Sequence, residues 1–278
     1  MSALSVSLIQ THLFWEDKAA NLGMLESKIL SIPKTDIVIL PEMFSTGFSM
    51  HPASLAEDMQ GPTMKWMAET ARKKRIILTG SIIAGENGKY FNRLIWMLPN
   101  GQYGFYDKRH LFAYAGEDNH YSKGNKRLIA SVKGWKINLQ VCYDLRFPVW
   151  ARQSKNAETA ETLEYDLLIY VANWPEKRKH AWKTLLQARA IENQSYVIGV
   201  NRVGKDANNN IYSGDSMVCN ALGEVLFTKQ DEEAIFTTVL DKNHLADVRS
   251  HFPFWKDSDD FSIIDNVNTT NDERNYLL

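Results

Sequence analysis

The sequence has little cysteine, no long apolar run and no surplus of either charge. Its 278 residues include two cysteines, Cys142 and Cys219, too few for the disulfide framework of a small secreted domain. No run of 18 apolar residues occurs, so no segment reads as a membrane-spanning helix. The opening MSALSVSLIQTHLFWED lacks a basic cluster, and Ser, Gln, Thr and His break up its apolar residues. It is expected to be neither a secretory signal nor an anchor. With 32 Lys and Arg against 33 Asp and Glu, the chain lacks the basic footprint of a nucleic-acid binder and the high net charge of a disordered protein. The expectation is a cytoplasmic, soluble protein with neither nucleic-acid nor membrane partners.

Standard catalytic motifs are missing too. There is no G-x-S-x-G elbow, no H-E-x-x-H, no Walker A loop and no G-x-G-x-x-G turn, which weakens serine-esterase, zinc-protease and nucleotide-binding readings. The seven histidines, at 12, 51, 110, 120, 180, 244 and 251, do not fall at metal-ligand spacing. No metal or cofactor is expected.

What is present is a core: 44% of residues are apolar. No repeat or linker divides the chain, so one domain is expected over 1–256, with a polar, Asn/Asp-rich tail over 257–278. Alternation at Leu4, Val6 and Leu8 predicts a strand, and Leu22, Leu25, Ile29 and Leu30 predict a helix over 17–31. Ile37–Leu40 reads as a buried strand, and Gly61-Pro62 opens a helix that ends in a basic cluster, Arg72 to Arg75. Hairpin material follows over 76–106, then an aperiodic loop over 109–126. Strands are expected at 136–141, 166–172 and 196–201, and helices at 179–193 and from Pro148. A turn at 206–210 and further hairpin material over 216–240 complete the pattern. Helices alternating with strands, together with hairpins, predict a mixed α/β sheet system with helices outside.

Three reactive side chains follow apparent strands. Glu42 comes after Ile37–Leu40 and Pro41, Lys108 sits in Tyr106-Asp107-Lys108-Arg109-His110, and Cys142 ends the strand 136–141. Taken singly, each also fits a bland role: a surface carboxylate, a solvated charge, an inert core thiol. Together they supply what a thiol nucleophile needs, a base and a cation. Cys219 lies within apparent strand and reads as a core thiol.

The segments Leu40-Pro41-Glu42-Met43-Phe44, Tyr106 to Phe112 and Val141-Cys142-Tyr143-Asp144-Leu145-Arg146-Phe147-Pro148 resemble the nitrilase (carbon–nitrogen hydrolase) superfamily, nearest its ω-amidase branch. The likeness continues through Asn173-Trp174-Pro175, His180 to Trp182, Gln187 to Gln194, Val200 to Gly204 and Gly214-Asp215-Ser216. The resemblance implies a four-layer αββα sandwich, a homodimer paired through the helices after Cys142 and at 179–193, and a small-molecule substrate. Trp182 is either an anchor of that interface or a core residue.

The resemblance also implies roles: Glu42 as base, Cys142 as nucleophile, Lys108 and the Tyr143 N–H as oxyanion donors, and Glu117 as a second carboxylate positioning Lys108 or water. A nearby ammonium is expected to favour the thiolate. The implied reaction is hydrolysis of the terminal amide of a short dicarboxylate monoamide, α-ketoglutaramate or succinamate, through a thioester. Phe44, Phe112, Tyr143 and Trp174 are candidates for the pocket walls, and Arg146, Arg109 and Arg178 for the distal carboxylate. Two alternatives stay open: hydrolysis of N-carbamoyl amides or other amides by the same machinery, and a scaffold that keeps the fold without turnover.

Overall fold

The computed structural model describes residues 3–154 and 163–263. In chain order its first half forms β1 (Leu4–Gln10), α1 (Lys18–Ser31), β2 (Ile37–Ile39), α2 (Pro52–Leu55), α3 (Pro62–Lys74), β3 (Ile77–Glu86), β4 (Lys89–Met97) and β5 (Tyr103–Asp107). The second half forms β6 (Ile129–Val132), β7 (Trp135–Val141), α4 (Pro148–Ala151), β8 (Leu167–Val171), α5 (Lys179–Asn193) and β9 (Tyr196–Val200), then β10 (Val203–Lys205), β11 (Ile211–Cys219), β12 (Val225–Gln230), β13 (Ala234–Leu240) and α6 (Lys242–His251).

Local chemistry sets these boundaries. Asp17 caps α1 by accepting from the Ala20 N–H, and Pro62 starts α3 where its missing N–H costs nothing. Arg75 ends α3 in the left-handed region, after a last turn carrying Arg72, Lys73 and Lys74, where cations favour the helix dipole.

Two sheets result, with strand orders β13-β1-β2-β3-β4-β5 and β10-β11-β9-β8-β7-β6, and β12 adds to β11. Within them β1, β2 and β3 run parallel, as do β7, β8 and β9. Side-chain alternation then builds the layers. Leu4, Val6, Leu8, Ile37 and Ile39 of the first sheet share one core with Ile137, Leu139, Leu167 and Ile169 of the second. The other face of the first sheet, with Ile9, Val38 and Leu78, packs on Leu25 and Ile29 of α1 and on Met64 and Met67 of α3. Trp182, Leu186 and Ala190 of α5 and Leu245 and Val248 of α6 cover the outer face of the second sheet. The order helix, sheet, sheet, helix is the expected αββα sandwich.

Several elements differ from the sequence reading. The material over 216–240 is not one hairpin unit: β12 pairs with β11, but β13 crosses to the other sheet and pairs antiparallel with β1. The helix at Pro148 is only four residues long. α2, β6 and α6 were not anticipated. Trp182 is no interface anchor, because its ring is fully buried in the core and its indole N–H donates to the Asp215 carbonyl at 2.8 Å. Of the expected tail, residues 258–263 hold no helix or strand, and 264–278 lie outside the described residues.

Candidate active site

Strands deliver the reactive side chains from both sheets to one place. Glu42 follows β2, Lys108 follows β5, Cys142 follows β7 and Asn173 follows β8, at the carboxyl ends where open α/β sheets gather ligands. The turn after β2 is tied to β3: Leu40 donates to the Thr79 carbonyl, Phe44 to the Ser81 carbonyl, and the Met43 N–H to Ser81 Oγ at 2.8 Å. Met43 takes a φ of +43°, a sharp bend that breaks the alternation of the strand. Cys142 also takes a φ of +43°, opening the 3₁₀ turn Cys142–Arg146. Such strain persists only where surrounding contacts hold it, and it collects at functional sites. Tyr143 is the second residue of that turn, where a backbone N–H finds no partner within the turn.

Glu42, Lys108 and Glu117 are all buried and form one cluster. The Lys108 ammonium lies 3.0 Å from Glu42 Oε1 and 3.0 and 2.9 Å from the two oxygens of Glu117. Buried charges are costly unless paired and hydrogen-bonded, and further donors complete the account. Asn92 Nδ2 reaches Glu42 at 2.7 Å and Glu117 at 3.2 Å. The Asn173 N–H reaches Glu42 Oε2 at 2.7 Å, and the Phe112 N–H reaches Glu117 Oε2 at 2.6 Å. Asn173 also grips the Glu42 carbonyl through Nδ2 at 2.6 Å. The Cys142 sulfur sits beside this group, 4.0 Å from the Asn173 carbonyl, and near enough to Glu42 and Lys108 for both to act on its thiol.

Lys108 favours the thiolate as expected, but its pull is outweighed. Burial pushes the Cys142 thiol well above the usual cysteine range, Glu42 pushes it further, and the opposing pull of Lys108 does not compensate. Lys108 does not hold a resting thiolate, because its charge is already shared by two carboxylates. Burial disfavours the lysine cation, yet Glu117 and Glu42 outweigh that and keep it firmly protonated. Burial raises the Glu117 carboxyl, and Glu42 adds to the rise against the attraction of Lys108.

A cavity of about 190 Å³ opens over Lys108 and Cys142. Phe112, Tyr143, Arg146 and Trp174 line it as expected, and so does Arg178. The Arg146 guanidinium lies 4.9 Å from the Trp174 ring centre and that of Arg178 5.1 Å from Phe112. Among the described residues neither guanidinium meets a carboxylate. Two expectations fail. Phe44 does not reach the cavity: the bend at Met43 sends its ring into the helix-facing core of the first sheet, 5.8 Å from Trp66. Arg109 instead stacks over Trp150 at 4.6 Å, outside the cavity. Sequence reasoning missed Asn92, Phe48, Met50, Asp206 and Tyr212, and gave Asn173 no role, since lone amides and aromatics carry no spacing signal. Among the described residues no cluster of three His, Cys, Asp or Glu side chains is placed to hold a metal ion.

The family model for carbon-nitrogen hydrolases matches residues 5–250. The chain is a carbon–nitrogen hydrolase. It is 42% identical over 266 residues to the omega-amidase YafV of Escherichia coli, covering 95% of this chain and all of that protein. It is 30% identical to the 2-oxoglutaramate amidase of Bacillus subtilis, over 91% of this chain and 96% of that one. Among solved structures, a CN-hydrolase superfamily protein of Xanthomonas campestris, with an arsenic adduct in its active site, superposes with a TM-score of 0.92 at 43% identity. That match covers 95% of this chain and all of the other. The hydrolase shares its α/β architecture with these relatives and acts on carbon–nitrogen bonds of amides.

Proposed function

We propose that the hydrolase is an ω-amidase, releasing ammonia from the terminal amide of a short dicarboxylate monoamide such as succinamate or α-ketoglutaramate. One observation carries the choice of substrate. Two guanidinium groups without carboxylate partners among the described residues, Arg146 and Arg178, share a small cavity with the thiol. Cations that share the cavity without a carboxylate partner among the described residues suit a substrate whose other end is anionic. The volume is below the roughly 300–1,000 Å³ of pockets for drug-sized ligands, which favours a short chain. Full-length likeness to an omega-amidase and a 2-oxoglutaramate amidase supports the same reading.

In this reading Glu42 takes the thiol proton as the Cys142 sulfur attacks the amide carbon. Because the thiol rests protonated, attack and proton transfer belong to one step. The oxyanion is held by the Lys108 ammonium and the Tyr143 N–H, each donor contributing on the order of 10²–10³ in rate. Protonated Glu42 then passes its proton to the departing amine, giving ammonia and a Cys142 thioester. Glu42 next draws a proton from water as it attacks the thioester, and returns it to the sulfur as the C–S bond breaks, releasing the carboxylic acid, which ionises in solvent. Glu117 fixes the ammonium through its paired oxygens.

The test is ammonia release across succinamate, α-ketoglutaramate, N-carbamoyl-β-alanine and a neutral amide of similar length. Succinamate and α-ketoglutaramate should lead, Cys142→Ala should be silent, and Glu42→Gln should lose about 10²–10⁴-fold in kcat. Arg178→Leu and Arg146→Leu should raise KM for the anionic amides and leave the neutral amide unaffected. Preference for the N-carbamoyl compound would instead favour the carbamoylase alternative. The same reading makes the enzyme cytoplasmic, consistent with two unpaired cysteines, and homodimeric. Val149 after the nucleophile turn and Phe254 beyond α6 are 54% and 66% exposed and line one depression. Sedimentation velocity should show a dimer, and Val149→Asp a monomer.

A further inference from the structure

Asp144 is a buried carboxylate two residues beyond the thiol, and the reaction as written gives it no task. It accepts four hydrogen bonds. One comes from the Val141 N–H at 3.0 Å, immediately before Cys142. The other three come from the segment that carries Lys108: the Tyr106 hydroxyl at 2.7 Å, the His110 N–H at 2.9 Å and His110 Nδ1 at 2.8 Å. Tyr106 and His110 stand two residues to either side of Lys108. At the end of an extended strand, residues two apart share a side, so Tyr106 and Lys108 leave β5 in the same direction, toward the turn that carries Cys142 and Asp144. Holding Tyr106 and His110 on Asp144 therefore fixes the backbone on both sides of Lys108.

Both flanking side chains are themselves held. The Tyr106 oxygen also accepts from Trp150 Nε1 at 2.9 Å and from the Arg109 N–H at 3.1 Å. The His110 ring stacks on Phe147 with centroids 3.9 Å apart and planes 8° from parallel. Facing a carboxylate oxygen, Nδ1 must be the nitrogen that carries a proton.

Lys108 follows a strand of one sheet and Cys142 a strand of the other. Apolar contact between the sheets holds them together without direction, so it sets their spacing but not their register. Directional bonds must do that. We propose that Asp144, Tyr106 and His110 form a positioning clamp that registers the Lys108 ammonium against the Cys142 sulfur. The inference rests on the reading of Lys108 and Cys142 above, and not on which amide is hydrolysed.

His110→Phe tests it, since phenylalanine keeps the stack on Phe147 and the backbone donor but removes Nδ1. His110→Asn returns a side-chain donor at similar reach. The measurements are kcat and KM for succinamate, the rate constant for iodoacetamide labelling of Cys142, and the thermal midpoint. A displacement of about 1 Å at a catalytic group costs on the order of 10²-fold. His110→Phe should therefore lower kcat about 10- to 100-fold, leave KM within about twofold and slow labelling in step, and His110→Asn should recover most of the loss. Parental kcat and labelling in His110→Phe, whatever the midpoint does, would overturn the clamp. If His110→Phe does not fold, Tyr106→Phe, which removes a donor on the other flank, carries the same expectation and the same overturning result. Labelling needs no substrate, so a wrong choice of amide leaves the test standing. A wrong nucleophile shows differently, as parental Cys142 labelled no faster than Cys219, and overturns both readings.

Discussion

At the scale of single residues, the resting proton of Cys142 decides how the site starts its reaction. Burial and Glu42 push that thiol above its ordinary value of 9.0, which favours the protonated form at neutral pH. The ultraviolet thiolate absorbance of the protein should match that of Cys142→Ala from neutral pH up to about 9. A step near neutrality in the parent alone would mean that Lys108 dominates after all. Glu42, Lys108 and Cys142 were legible because each lies in a run of distinctive neighbours, Glu117 only through the family likeness, and the structure brings all four together. Asn92 and Asn173 were not, because a lone amide looks the same whether it holds a catalytic carboxylate or a surface turn. Phe44, a pocket-wall candidate from its place in the Glu42 segment, misled for a backbone reason: Met43 adopts a left-handed bend that turns it away.

At the scale of elements, the fit of α5 on β9 makes the sharpest demand on the sequence. A Cβ at Gly199 would lie 2.5 Å from a Leu186 methyl and 2.7 Å from the Trp182 ring, closer than packed carbons allow. Trp182 cannot swing aside without losing its bond to the Asp215 carbonyl. Gly199→Ala should therefore cost about 1–3 kcal/mol, read as a lower denaturation midpoint with KM unchanged. An unaltered midpoint would show the interface to be loose. The sequence showed α5 through its length and apolar spacing, and β1, β3 and β4 through their patterns. α6 escaped because only Leu245 and Val248 are buried in it, too few to set a period. β13 was legible as a strand but not by its sheet, since alternation reports which face is apolar and not what that face meets.

At the scale of the whole molecule, the two sheets are linked where the chain returns after β12. Glu233, between β12 and β13, accepts from the Thr11 hydroxyl, from the His12 N–H at 2.9 Å and from Lys28 at 2.9 Å. Burial opposes its charge, but these donors prevail and hold its carboxyl at about 2. A carboxyl lowered on folding contributes stability above its unfolded value of about 4.5, and that contribution fades as pH falls toward 2. The parent should thus be more stable than Glu233→Gln at pH 7, modestly so given the exposure of the group, and the gap should close across that acid range. Equal stability at pH 7 would remove the linking role. The layered architecture followed from the family likeness, whereas composition and periodicity reached only a mixed α/β system. The pairing of β13 with β1, Leu4 against Leu240, bears on biosynthesis. β1 leaves the ribosome long before β13, so a nascent chain already holding Glu42, Lys108 and Cys142 still has an open sheet edge. Chaperone shelter during translation, and sensitivity to premature stop codons before position 240, are built into that topology.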